Sequence, residues 1–165
     1  MKKTTAVMVV LFSFVLVSLV YAADKLAYVD LSRTFGEYTK TKEYEKVLEE
    51  KQKVYEAERN KKINELKQLE DKLNLLNDKE KEAKRSDLEV KIKDFQDFDS
   101  QKQNELRKEG MEKEKEILKA IEETVKQYSE KEGYTLVFND RVLIYQSKNL
   151  DITNEIIKIL NKEKK

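Results

Sequence analysis

The chain has 165 residues, 41% of them charged, with 34 Lys and Arg against 33 Asp and Glu and with no His, Cys or Pro. The near-balance of charge excludes a nucleic-acid binder that works by bulk basicity. Without His and Cys the chain lacks the commonest general base, the strongest nucleophile and the usual transition-metal ligands, and without Cys it has no disulfides, the usual support of small exported folds.

Lys2 and Lys3 precede an uncharged apolar run from Ala6 to Val20, and Val20-Tyr21-Ala22 supplies the residues that a signal peptidase accepts. That run of 15 residues is short of the roughly 20 needed to span a bilayer. Residues 1–22 are therefore read as a cleaved signal peptide rather than a retained anchor. Taking 22 residues from 165 leaves 143, and losing Lys2 and Lys3 moves the formal charge from +1 to −1. With no Cys, acylation on a cysteine is excluded as well.

Residues 23–40 read as the first part of a small body. Lys25-Leu26-Ala27-Tyr28-Val29 is a strand pattern. Asp30 or Ser32 can cap a brief helix through Phe35, which Gly36 is expected to interrupt, and Thr39 or Thr41 can cap the next helix.

Residues 41–132 read as a long helical arm, since Glu, Lys and Leu dominate and only one Gly intervenes. Leu66, Leu69, Leu73 and Leu76 form a heptad seam; Leu88, Ile92 and Phe95, then Leu118, Ile121, Val125 and Tyr128, continue it. The stretch 78–85 has no large apolar group, and Ser86 with Glu89 reads as a capping box. The arm is therefore expected to fold back with its tip near 78–85 and a helix restarting at Ser86. Residue numbers summing to about 165 would then face each other: Leu73 with Ile92, Leu66 with Phe98, Val47 with Leu118, Tyr44 with Ile121. Two arms of about 40 residues would each reach roughly 60 Å. The middle of this hairpin is sparse in apolar residues, and the seam slips phase between Leu106 and Leu118. A hinge is expected at Gly110, within windows 57–63 and 106–111.

Residues 133–165 complete the body. Gly133 suits a helix C-terminus. Tyr134 to Phe138 and Val142-Leu143-Ile144-Tyr145 are strand patterns around the turn Asn139-Asp140-Arg141, and Asp151 caps a helix with Ile152, Ile156, Ile159 and Leu160 on one face. Three short strands with apolar groups on both faces are marginal alone. Sharing one core between subunits is the economical remedy, with Leu26, Tyr28, Leu136, Phe138, Val142 and Ile144 as the shared residues. The fold class is thus α+β: a long antiparallel helical-hairpin arm, coiled-coil in type, on a small β-rich body that trimerises through its strands.

The opening Lys25-Leu26-Ala27-Tyr28-Val29-Asp30-Leu31 with Phe35 and Tyr38 resembles the start of the Skp (OmpH) family of periplasmic chaperones. So does the ending, from Gly133-Tyr134-Thr135-Leu136-Val137-Phe138 through Val142-Leu143-Ile144-Tyr145 to Leu150-Asp151-Ile152-Thr153. The resemblance spans essentially the whole mature chain, and its charged middle is similar in type only. It implies a homotrimer whose three hairpins hang from a shared body around a cavity. It also implies that unfolded outer-membrane proteins are held there without ATP or any cofactor, and that outer-membrane assembly machinery is a further partner. One departure is charge: the best-known members are strongly basic, whereas this mature chain is near neutral, so capture of acidic clients, lipopolysaccharide or a membrane surface does not follow.

The residues themselves favour binding over catalysis. There is no glycine-rich phosphate loop, and Asp and Glu alternate with Lys as solvated helix faces do. Two readings stay open at this point, a cavity holdase and a structural coiled-coil spacer of the envelope with one fixed partner. Leu75, Val90 and Phe98 lie beside the seam and are the candidate client contacts, which a spacer would not need.

Overall fold

The computed structural model describes residues 24–162, so the expected signal peptide lies outside the described residues. In chain order come strand β1 (Leu26–Val29), helix α1 (Leu31–Glu37), helix α2 (Thr39–Asn74), helix α3 (Asp78–Glu132) and strand β2 (Leu136–Asn139). Two 3-10 turns follow, Asp140–Val142 and Lys148–Leu150, and then helix α4 (Thr153–Lys162). β1 and β2 pair in parallel, Leu26 opposite Leu136 and Tyr28 opposite Phe138. A parallel pair needs a long crossover, and the whole hairpin supplies it.

α2 and α3 run antiparallel and project as one arm. α2 alone has 36 residues, about 54 Å at 1.5 Å per residue. The tip is not at 78–85. α2 ends at Asn74, and Leu75 and Leu76 turn back on the carbonyls of Lys72 and Leu73. Asn77 then caps α3, its Oδ1 accepting from Glu80 N at 3.0 Å while its Nδ2 donates to Glu80 Oε2 at 2.9 Å. The capping box is therefore Asn77 with Glu80. Ser86 lies inside α3, and Glu89 pairs with Arg85 instead. A stretch without large apolar groups still makes helix when Glu, Lys, Ala and Arg fill it, because these are strong helix formers.

An earlier turn shifts the register. Facing residues have numbers that sum to between 153, for Tyr55 with Phe98, and 160, for Lys51 with Glu109, rather than to 165. Leu66, Leu69, Leu73 and Leu76 still point into the seam, whereas Val47 is exposed and Leu48 takes its place there. The two windows of the expected hinge consequently sit at different heights, since Arg59 meets Asp99 while Glu109, beside Gly110, meets Lys51. α3 runs unbroken through Gly110.

The core lies where the arm joins the body. Ala27 and Val29 of β1, Tyr38, Ile117 and Ile121 of α3, and Ile152, Ile156 and Leu160 of the last segment form one buried cluster. Asp30 caps α1 through Arg33 N at 2.8 Å, and Gly133 ends α3 at φ 74°, the left-handed region where glycine carries no Cβ penalty. Gly36 does not interrupt α1; the break comes at Tyr38, whose ψ of 127° is extended. Neither Thr39 nor Thr41 caps α2. Asn161 of α4 does so instead, its Oδ1 accepting from Thr39 N at 2.8 Å.

The expected strand 142–145 is absent, and the body is less β-rich than its sequence implied. Its two strands have four residues each, and Asp151 adds a single bridge beside Tyr28. A tight hairpin back onto β2 would need left-handed residues in its turn, yet among the described residues only Gly133 has positive φ. Asn139-Asp140-Arg141 instead winds into a 3-10 turn, with Asn139 Oδ1 accepting from Arg141 N and Leu143 N donating to Asp140 O.

Candidate functional site

Two apolar surfaces stand open on this chain, one on the arm and one on the body. On the arm, Leu75 is 87% exposed at the very tip, and Val90 is also exposed on α3. Phe98, the third expected client contact, is half-buried instead: its ring lies 6.3 Å from that of Tyr55 and Lys62 Nζ sits 4.8 Å above it. Phe98 therefore belongs to the hairpin interior. The expected pairing with Leu66 already turned Phe98 toward α2, and the shift in register changes its partners to Tyr55 and Lys62.

Exposed Val47, Val54 and Met111 were missed. Val47 and Val54 are seven residues apart, hence on one helical face, and they line a groove between α2 and α3 together with Tyr55 and Leu106. Val47 was expected in the seam, facing Leu118, and Val54 was not singled out, although their spacing is in the sequence. On the opposite side of the hairpin a second groove passes Leu48, Tyr55, Leu106 and Arg107. Tyr55 and Leu106 thus form a narrow bridge with open space on each side.

That bridge is held by a polar clasp. Tyr55 is only 6% exposed. Its hydroxyl donates to Asp99 Oδ1 at 2.7 Å, Arg59 Nε donates to the same oxygen at 2.9 Å, and Gln103 Nε2 reaches both Tyr55 and Asp99 at 3.1 Å. The bond from Tyr55, then the Arg59 guanidinium and Gln103, hold the Asp99 carboxyl below its ordinary range against the desolvation that opposes them. Toward the base of the arm, burial and the nearby Glu109 push the Tyr44 hydroxyl up.

On the body, strand alternation separates two faces. Ala27 and Val29 point into the core, and Leu26, Tyr28, Leu136 and Phe138 share the other face. Of these, Leu26, Leu136 and Phe138 are exposed, as are Val142 and Ile144 beyond the strands. Tyr28 differs from the others: at 5% exposure it is already covered within its own chain, beside Gln146, Lys148 and Asp151. Its hydroxyl is raised by that burial and by the carboxylates of Asp151 and Asp140.

Nothing in either surface gathers a reactive set. Among the described residues no group of acidic side chains could hold a metal ion, and no helix is long and apolar enough to cross a membrane. What the surfaces offer is apolar contact on a highly charged scaffold.

Comparison with known proteins agrees on the architecture. The profile of the family described as "Outer membrane protein (OmpH-like)" matches residues 25–160. An uncharacterized protein of Aquifex aeolicus (strain VF5) is 31% identical over 119 residues, 72% of this chain and 68% of that protein. The crystal structure of a protein assigned as an OmpH-like outer membrane chaperone, from Caulobacter crescentus CB15, superposes with a TM-score of 0.78 over 86% of each chain at 14% identity, a likeness of fold.

Proposed function

This chain belongs to the OmpH-like family of outer membrane proteins, matched over residues 25–160, and from that premise we propose that it is an ATP-independent periplasmic holdase chaperone. Its clients are unfolded outer-membrane proteins, held between helical arms of a homotrimer so that they do not aggregate. The observation that supports this most is the arm itself, a projection with α2 about 54 Å long that carries Val47, Val54, Leu75 and Val90 exposed among charged residues. Isolated apolar groups on a solvated surface offer many weak, unspecific contacts, which suits clients that share no sequence. The open face of the body, Leu136, Phe138, Val142 and Ile144, supports assembly, because such a surface on a small body is stabilised when copies cover one another.

The reading is tested by diluting a urea-denatured outer-membrane protein into buffer with the mature chain and following light scattering without nucleotide. Suppressed scattering is expected, and weaker suppression from a variant in which Val47, Val54, Leu75 and Val90 are all Ser. Undiminished aggregation in the presence of excess chain leaves the spacer reading in its place.

A further inference from the structure

The arm leaves the body at one corner, between α1 and α2, and that corner has no cap of its own. Tyr38 stands at the N-cap position of α2 without any side-chain hydrogen bond. A helix start leaves its first amide donors without partners, and a helix end does the same to its last carbonyls. Both needs are met here from a distant element. Asn161 of α4 accepts through Oδ1 from Thr39 N and from Thr39 Oγ1, each at 2.8 Å, and donates through Nδ2 to the Glu37 carbonyl at 3.1 Å. One amide thus closes the end of α1 and the start of α2.

A second link lies further along the same two helices. Arg33 Nη2 donates to Asn154 Oδ1 at 2.7 Å, and Asn154 precedes Asn161 by seven residues, two turns of α4 on the same face. α1 is therefore fastened along α4 near both of its ends. Tyr38, 2% exposed, is sunk into the core between these links and the arm. The arm's other attachment is α3, whose Ile117 and Ile121 are buried in the core and which runs through Gly133 into β2, so the corner between α1 and α2 is the side of the root that packing leaves to Asn161.

We infer that Asn161 is a positioning residue that pins the root of the arm and so sets the angle at which it leaves the body. The inference deepens the holdase reading, since on that reading the angle fixes the width of the space between arms. Its leverage is geometric. At about 54 Å from the corner, each 10° of swing moves the tip by roughly 9 Å. A side chain that steadies the corner by a few degrees therefore steadies the tip by several ångströms. The Asn161 side chain can do this because it holds both sides of the break at once, which a residue within the corner cannot.

The test reads geometry and not chaperone activity, so it fails or succeeds independently of the proposed function. The chain has no Cys, so nitroxides can be placed only where wanted, on Leu75→Cys at the exposed tip and on Lys158→Cys at an exposed position of α4. Labelled chains are diluted with unlabelled protein, and the tip-to-body distance distribution is measured by double electron–electron resonance. Asn161→Ala is expected to broaden that distribution by on the order of 9 Å, the tip displacement for 10° of swing. Asn161→Asp keeps the acceptor for Thr39 but loses the donor to Glu37 O and sets a carboxylate against that carbonyl, so an intermediate broadening is expected. Thr39→Ala, which removes one hydroxyl from the pin, decides the matter should Asn161→Ala unfold. Distributions that coincide with the parent in the folded variants overturn the inference.

Discussion

Asp99 collects three donors from two helices and so ties α2 to α3 in the middle of the arm. Its carboxyl is held below the ordinary range, so the clasp stabilises the folded chain at pH above that range and loses its effect as pH falls through the depressed folded value. Asp99→Asn should accordingly flatten the acid limb of stability, measured by urea unfolding from neutral pH down through and below the ordinary carboxylate range of about pH 4. A limb unchanged by the substitution would show that other carboxylates set it. Tyr55→Ala removes the ring under the clasp and should cost about 3 kcal/mol as a cavity with unpaired neighbours, while Tyr55→Phe should cost less. Thr41 shows the opposite imbalance: it is 1% exposed and its Oγ1 has no hydrogen-bond partner. Thr41→Val should raise stability by about 1 kcal/mol, read as a higher urea midpoint at unchanged slope. Residues whose partners lie nearby in sequence were legible before the fold was known, as with Asp30 and Gly133. Asn161 was not, because its partner Thr39 stands 122 positions away and an Asn near a chain end gives no sign of it.

The arm was legible as an element and misjudged in register, and both facts have one cause. Heptad spacing fixes which face of a helix is buried, so Leu66, Leu69 and Leu73 were placed correctly on α2. It does not fix where the chain turns. That was inferred from a polar stretch, and polar residues with high helix propensity extend a helix as readily as they leave it. The turn came where Asn77 could cap, and every pairing beyond it moved. Tyr55 was not legible as a clasp, because Asp99 and Gln103 come to its height only in the observed register, whereas facing numbers summing to about 165 set it opposite Gly110. Gly110 survives the shift as the weakest helical position of α3. A Cβ placed there meets nothing within 4 Å, so Gly110→Ala has no steric cost and should stabilise the arm by up to about 1 kcal/mol. Hydrogen exchange should slow around 106–111 in that variant and remain unchanged in the body. Equal exchange in parent and variant would remove Gly110 as a soft point of the arm.

At the scale of the whole molecule, the body is where one chain leaves a run of apolar side chains exposed. The segment 142–145 was expected to form a strand buried on both sides, and in a single chain it is neither a strand nor buried. The apolar content of this segment is legible in the sequence, but what would cover it in the proposed homotrimer is not, because a strand pattern states what a residue needs and not which chain supplies it. Ile144 states the need most strongly, for its side chain is fully exposed in a row with Val142 and Tyr145. Covering one Ile is favourable by about 1.5 to 3 kcal/mol, and a homotrimer would gain this three times around its axis. Replacing it with a carboxylate reverses the sign, since a charge taken from water without a partner costs several kcal/mol. Ile144→Asp should therefore reduce the solution mass of the mature chain from that of a trimer to that of a monomer, measured by light scattering on an eluting column. Val47→Asp provides the control, because Val47 lies on the arm and away from the body face, and its mass should stay that of the trimer. A trimer that persists in Ile144→Asp would place Ile144 outside the shared surface. Trimers lost in both variants would instead mean that the arms, through the groove beside Val47, hold the copies together.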